Sequence, residues 1–373
     1  MNDQVVPLGD ICEFKYGKSL PAVSRNPGPY KVYGSNGQVG NHESALTSGA
    51  AVIIGRKGSF GEVHYSVDPC WPIDTTYYVD ENSTKCDLKW LSWRLAGLGL
   101  KDLNRAAAIP GLSRDDAYRR KLLVPPVEEQ RRIAQMLDQV DALRAKRREA
   151  IALLDDLAQS IFLDMFGDPA SNPREWPLVQ VGDLLESASY GTSAKASLTG
   201  TIPVLRMNNI TKTGDIDMTK LKYMNADEVG DRYRVHQGDV LFNRTNSPEL
   251  VGKTAIYRRS EPLAYAGYLI RARVNESTNP EYLSAFLNTK YAKRVLLGMC
   301  KSIVGMANIN AKELRSIRIA CTPADLQDEF AKRVISIERM KAIQRDQLKV
   351  LDQLFASAQQ RAFRGELWAD EAA

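Results

Sequence analysis

The sequence predicts an α+β fold: two mixed α/β units related by an internal repeat, each followed by a long helix, the two helices pairing as a coiled coil. Three observations carry this. First, residues 128–165 contain neither Gly nor Pro, and Ile133, Met136, Leu137, Val140, Leu143, Ile151, Leu154, Leu157, Ala158, Ile161 and Phe162 recur at the three- and four-residue spacing of one helix face. Such a helix would rise roughly 55 Å, too long for an ordinary globular helix, so a helical partner is expected. Second, the partner is in the chain itself. A shift of 197 residues lays this stretch without a gap on residues 320–365, with Pro126 on Pro323, Gln130 on Gln327, Ala134 on Ala331, Arg148 on Arg345, Leu154 on Leu351, Asp155 on Asp352 and Phe166 on Phe363. Third, the segments before the two helices share landmarks: Leu8-Gly9-Asp10 with Val181-Gly182-Asp183, Tyr16-Gly17 with Tyr190-Gly191, and Lys89-Trp90-Leu91-Ser92 with Glu281-Tyr282-Leu283-Ser284.

In chain order, the first unit occupies 1–125. Tyr30, Val32 and Tyr33 read as a strand and Gly34-Ser35-Asn36-Gly37 as a tight loop. Residues 50–54 read as a buried strand and 63–65 as another; between them, GRKGSFG (55–61) sets two cations among glycines that permit close approach to a partner. Residues 87–97 look helical. Ile109-Pro110-Gly111-Leu112-Ser113 leads through Arg119, Arg120 and Lys121 into a strand at 122–124, which Pro125-Pro126 stops. The first helix spans 126–167, and a Pro/Asn/Ser-rich linker spans 168–176. The second unit, 177–321, places IPVLRMNNI (202–210) where PYKVYGSNG stood, and residues 237–246 where GAAVIIGRKG stood. The second helix spans 322–365, and a tail follows over 366–373. The helices match each other far better than the units do, so one frame is expected to carry two different recognition surfaces.

Composition places the chain among globular proteins, with 44% hydrophobic and 25% charged residues. No run of apolar residues is long enough to span a membrane, and the N-terminus lacks the charged and apolar regions of a signal peptide. Cys12, Cys70, Cys86, Cys300 and Cys321 are odd in number, scattered and without a CxxC pair, which suits a reducing cytoplasm and argues against a disulfide frame or zinc site. The net charge of +5 is uneven: residues 1–127 carry +2, the first helix −2 and residues 177–320 +7. The basic excess marks the units as the polyanion-binding parts and the helices as scaffold.

Fragments with a catalytic outline do not complete a site. Val251-Gly252-Lys253-Thr254 ends like a phosphate-binding loop, but Ser247 stands where its first glycine is needed and Pro248 interrupts it. Asp74 with Asp87-Leu88-Lys89 has the outline of a nuclease metal site, yet Asp87–Lys89 reads as the surface start of a helix. Pro125-Pro126, flanked by Val124 and Val127, is not the base clamp of a methyltransferase, and no glycine-rich methyl-donor loop occurs. His42, His64 and His236 have no ligand-like spacing. Polar and basic loops suit groove reading better, because Arg forks onto guanine and Asn onto adenine. The candidates are Lys31, Tyr33, Ser35, Asn36, Arg56, Lys57 and Ser59 in the first unit, and Arg206, Asn208, Asn209, Asn243, Arg244, Thr245, Asn246 and Lys253 in the second.

With these residues in view, the chain resembles, over essentially its whole length, a specificity subunit of a type I restriction–modification enzyme. The most specific parts are LLVPPVEEQRRI (122–133), the helix closing on Met165-Phe166-Gly167-Asp168, and its copy closing on Arg361-Ala362-Phe363-Arg364-Gly365-Glu366-Leu367. YGSNG (33–37), GRKGS (55–59) and FNRTNSPELVGK (242–253) resemble loops of that family's target-recognition domains. In the second helix Thr322-Pro323 replaces the double proline, and Ala324-Asp325-Leu326 replaces Val127-Glu128-Glu129. The resemblance implies two target-recognition domains separated by two long antiparallel coiled-coil helices acting as a ruler, with a pseudo-twofold axis relating the repeats. Each domain would read one half of a split, asymmetric site in double-stranded DNA. It further implies a non-catalytic cytoplasmic subunit of a phage-defence system that docks two DNA methyltransferase subunits. Those partners carry S-adenosylmethionine and methylate adenine after flipping it out. A restriction and motor subunit using ATP and Mg is a further partner where one is present. The resemblance implies no cofactor and no metal in this chain. The alternatives are a catalytic nuclease or methyltransferase with unrecognised motifs, and a coiled-coil adaptor with no DNA role.

Overall fold

The computed structural model describes residues 4–103, 111–226, 229–300 and 306–367; Ile109 and Pro110 of the first unit lie outside them, as does most of the tail. The chain forms two compact units, Met1–Arg148 with Asp346–Ala373, and Glu149–Arg345. Seven helices are described: α1 (Leu88–Ala96), α2 (Arg114–Tyr118), α3 (Val127–Phe166), α4 (Pro280–Asn288), α5 (Lys290–Met299), α6 (Ala311–Arg315) and α7 (Ala324–Arg364). Both long helices start directly after a proline, as the repeat predicts, and each contributes one part to each unit.

The first unit holds an antiparallel ribbon of Gln4–Pro7 with Lys121–Val124. Its main sheet is antiparallel, in the order Lys15–Tyr16, Thr76–Asp80, Ala51–Gly55, Val63–Ser66. Its second sheet joins the hairpin Tyr30–Gly34/Gly37–His42 to Cys70–Pro72, which runs parallel to Tyr30–Gly34. Ala51–Gly55 is buried along its whole length, as a continuous apolar run requires. Asp87 caps α1 by accepting the Trp90 N–H at 2.8 Å, so the acidic triplet of the nuclease outline is indeed the start of a helix. Fully buried Trp90, Leu91 and Leu95 of α1 pack on Val52, Ile54 and Val79. On their other side lie Ile133 and Leu137 of α3, with Phe355 and Ala358 of α7.

The second unit repeats this plan with different side chains. Leu178–Gln180 pairs with Arg318–Ala320. The main sheet runs Leu185–Tyr190, Leu269–Val274, Val240–Asn243, Thr254–Ile256. The second sheet again contains one parallel pair, Ile202–Leu205 with Leu263–Tyr265; Lys222–Met224 flanks it on one side and the added strand Arg234–Val235 on the other. Tyr282, Leu283 and Phe286 of α4 pack on Val240, Phe242 and Ile270, and then on Phe162 and Phe166 of α3 and Phe330 of α7. Within this unit the long helices are antiparallel: the Phe166 and Phe330 rings lie 5.3 Å apart, and Asp155 meets Lys341 at 2.6 Å.

One buried glutamine locks each long helix to its unit. Gln130 accepts the Asp87 N–H and donates to the Pro125 carbonyl, both at 2.8 Å. Gln327 accepts the Asn279 N–H at 2.8 Å and donates to the Thr322 carbonyl at 2.9 Å. The apolar face read from the sequence is buried only in part. Ile133, Leu137 and Phe162 are enclosed, whereas Leu143 and Leu157 are exposed. A helix pair covers a narrow stripe, and a wider apolar face is buried only where a third layer is added, here by α1 beside Ile133 and by α4 beside Phe162. No helix among the described residues is long and apolar enough to cross a membrane.

Candidate nucleic-acid interface

In the first unit the two candidate loops meet over the segment at 73–76. The Thr75 carbonyl accepts from Ser35 Oγ at 2.6 Å, from the Arg56 N–H at 2.9 Å and from the Lys57 N–H at 3.1 Å. Gly55 makes this crossing feasible, since a Cβ there would lie 2.2 Å from the Ser59 carbonyl oxygen. Tyr33 is buried, its ring stacked 6.4 Å from that of His64. Tyr33 and Ser35 therefore hold the loops together rather than present polar groups outward. Lys31, Asn36, Lys57 and Ser59 are exposed, and Arg56 is half-buried.

In the second unit the candidates divide the same way. Asn209 is fully buried; its Oδ1 accepts the Arg206 N–H at 3.0 Å and its Nδ2 donates to the Asp217 carbonyl at 2.9 Å. Asn243 is fully buried at the end of its strand, exchanging backbone hydrogen bonds with Lys253 and Gly252, each at 2.8 Å. Arg206, Arg244, Thr245 and Asn246 are half-buried and Asn208 is exposed. Thr245 Oγ1 donates to Asn308 Oδ1 at 3.2 Å, and Arg206 donates to the Lys220 carbonyl at 2.9 Å.

Lys253 turns inward, its Nζ donating to the carbonyls of Met207 at 2.9 Å and Ile210 at 2.5 Å. The lysine of the incomplete phosphate-loop fragment is thus an internal tie between two loops. Burial, then Lys212, lowers its pKa. Lys293 donates to the Gly252 carbonyl and to Asn288 Oδ1, and burial, aided by Lys253, pushes its pKa down to about 7. Among the described residues no group of three His, Cys, Asp or Glu is placed to hold a metal ion.

Sequence reasoning used Tyr16 and Tyr190 only as repeat landmarks, yet each lies against a candidate arginine. The Arg56 guanidinium lies 5.3 Å from the Tyr16 ring centroid, and that of Arg244 lies 4.8 Å from Tyr190. Arg56 also donates to the Asp74 carbonyl at 2.6 Å, and Arg244 to the Gly267 carbonyl at 3.4 Å. The backbone around them is matched too. The arginine N–H groups donate to Thr75 and Tyr268, and the arginine carbonyls accept from Leu112 and Ile309. Gly17 and Gly191, which follow the tyrosines, pass so near the chain that a Cβ would lie 2.1 Å from the Ile73 oxygen and 2.3 Å from the Tyr265 oxygen. Both tyrosines stay partly exposed, 54% at Tyr16, which the Arg114 guanidinium also approaches at 5.4 Å, and 41% at Tyr190.

Comparison with known proteins agrees with this duplication. The family model of the type I restriction modification DNA specificity domain matches residues 2–153 and again 173–353. The chain is 26% identical over 267 residues to the type I restriction enzyme EcoKI specificity subunit of Escherichia coli K12, covering 66% of this chain and 57% of that protein. It is 30% identical over 185 residues to a Methanocaldococcus jannaschii protein named as the MjaX specificity subunit, covering 48% of this chain and 43% of that one. The chain thus spans about half the length of these curated relatives. In fold it is similar to the S subunit of a type I restriction–modification system from M. genitalium, with a TM-score of 0.63 at 15% identity over 97% of this chain and 96% of that one. A chain from work on complex assembly and conformational transition of the type I system aligns with a TM-score of 0.51 at 16% identity, covering 98% of both chains.

Proposed function

The chain belongs to the type I restriction–modification DNA specificity family, and on that premise we propose that it is the non-catalytic, sequence-reading subunit of such a system. Each α/β unit reads one half of a bipartite, asymmetric site in double-stranded DNA. The observation that carries this is the pairing of one repeated frame with two different sets of surface side chains. Lys31, Asn36, Lys57 and Ser59 are exposed on one unit; on the other, Arg206 and Asn208 follow the strand Ile202–Leu205, and Thr245 and Asn246 form a short strand paired with Ala307–Asn308. Side chains of this kind read base edges in the major groove, while cations on the same surface contact phosphates.

The long helices serve as the docking element for adenine-N6 methyltransferase subunits, and for a restriction and motor subunit where one is present. In the second unit Leu153, Leu157, Met340 and Ile343 are exposed and line a cleft of about 370 Å³ with Ala150 and Leu154. Exposed apolar surface of this kind favours burial by a partner. The chemistry then lies in the partners: S-adenosylmethionine in the methyltransferase, ATP and Mg in the restriction subunit. This chain supplies selection and placement.

The test is a single-base map of N6-methyladenine in host DNA with this chain present and deleted. A split asymmetric motif that vanishes on deletion is the expected result. Unchanged methylation would remove the specificity reading.

A further inference from the structure

If the two units read different half-sites, a device they share in detail cannot be reading the bases that differ. Where it touches DNA, it meets what both half-sites have in common, above all the sugar–phosphate backbone. The Arg–Tyr pairs are such a device. Arg56 and Arg244 share the ring beneath the guanidinium, the carbonyl that each guanidinium bonds, and the backbone partners before and after them. The neighbouring residues are not shared. Lys57 follows Arg56 where Thr245 follows Arg244, and the strand residues before them are Gly55 and Asn243. We propose that Arg56 on Tyr16 and Arg244 on Tyr190 are equivalent phosphate anchors, one per unit, that position the duplex without reading sequence.

The geometry suits this role. A guanidinium laid on a ring and bonded to one carbonyl has lost most of its rotamer freedom in advance, so little entropy is left to lose when phosphate binds. It still has donors beyond the one used for Asp74 or Gly267, and a planar fork matches phosphate oxygens. The aromatic face spreads the cost of holding a cation away from bulk water. Base selection is left to the residues that differ between the units.

This inference rests on the DNA-reading proposal, and the experiment separates the two. The full chain, assembled with its methyltransferase, is titrated by fluorescence anisotropy against a duplex carrying the mapped site and a duplex with that site scrambled, over a range of KCl concentrations. Arg56→Ala and Arg244→Ala are each expected to weaken both duplexes by the same factor, about tenfold. Each should also reduce the slope of log affinity against log salt by about 0.9, and leave the methylated motif unchanged. Arg56→Gln, which keeps the aliphatic stem and a polar end but removes the charge, should lower the slope equally, and it decides the matter if the alanine variants melt early. An altered motif, or a loss confined to the cognate duplex, overturns the anchor in favour of base reading. An unchanged slope with normal affinity reduces the pair to scaffold. If the unmutated complex binds neither duplex, the DNA-reading proposal itself fails, and the anchor with it.

Discussion

Lys341 Nζ lies 2.6 Å from Asp155 Oδ1, and the residues one repeat away, Arg144 and Asp352, meet at 2.7 Å, so the same ion pair ties the long helices in each unit. The surroundings differ. Lys341 is 3% exposed and also faces Asp215 at 3.2 Å and Glu338 at 2.8 Å. Burial opposes its charge, but hydrogen bonds to Asp155 and Glu338 prevail and raise its pKa. Lys341→Met would leave the partly buried carboxylates of Asp155 and Glu338 without their shared cation, while Asp215 keeps Arg345, and should destabilise the protein by about 2 kcal/mol. Arg144 is only partly buried and stacks on Phe355 at 4.4 Å, so Arg144→Met should cost about 1 kcal/mol. Chemical denaturation of both variants checks the order; equal or reversed costs would contradict it.

Gln130 and Gln327 allow a sharper comparison, because their hydrogen bonds are the same in kind and nearly so in length. Gln→Leu at either position would strand one part-buried N–H and one buried carbonyl. The expected loss is about 2–4 kcal/mol at each site, similar for the two. Calorimetry on the two single variants would show it, and a loss below about 0.5 kcal/mol at either would mean water replaces the side chain there.

These glutamines also show what was legible in the sequence. The gapless helix repeat placed Gln130 on Gln327, and the structure gives both the same task, because a helix repeat keeps its contacts in register. Ala51–Gly55 and Val63–Ser66 were legible as short apolar runs near glycines, whereas Thr76–Asp80, which pairs with Ala51–Gly55, and Leu269–Val274, which pairs with Val240–Asn243, were not read as strands. Nor were the loop residues legible. Asn209 and Asn243 have the composition of a base-reading loop, yet both are fully buried and bonded to the chain's own backbone. Asn and Asp serve turns and grooves alike, and only the fold shows which way the amide points. Tyr16 and Tyr190 were visible as repeated landmarks, but the arginines above them are 40 and 54 residues away in the chain.

Lys293 should make stability depend on pH. Its folded-state pKa is depressed to about 7 by burial, while an unfolded lysine titrates near 10.4. Between these values the unfolded chain binds a proton that the folded chain has released, so this group makes stability rise as pH increases through that window. Below about pH 7 both states are protonated and its contribution is flat. The melting temperature of the wild type should therefore rise from pH 7 to pH 9 relative to that of Lys293→Met. Parallel profiles for the two proteins would rule the depressed pKa out.

The exposed helix stripe makes a prediction about assembly. Leu153 is 61% exposed and Ile343 55% exposed, in the same cleft of the second unit. Because neither side chain is enclosed, Leu153→Glu with Ile343→Glu should leave the melting temperature nearly unchanged. Placing two carboxylates in a face buried by the methyltransferase should instead weaken association at least a hundredfold, since each would be desolvated without a partner. Sedimentation of the mixed subunits reads the result directly. Intact assembly with the doubly charged face would move the docking surface elsewhere on the chain.

Asn36 and Asn208 separate the two readers. Both are exposed, and both sit in the loop that follows the strand at the start of the second sheet, Tyr30–Gly34 in one unit and Ile202–Leu205 in the other. Their neighbours differ as well: Ser35 and Gly37 flank one, Met207 and Asn209 the other. An asparagine that forks onto adenine contributes about 1–3 kcal/mol of discrimination at that base. Asn36→Ala should therefore relax one position in one half of the methylated motif, and Asn208→Ala one position in the other half, with the remaining positions kept. Methylome sequencing of the two strains resolves this at single bases. If both variants relaxed the same half, the assignment of one half-site to each unit would be wrong, whereas a uniform drop in methylation would place these residues on the backbone with the arginines.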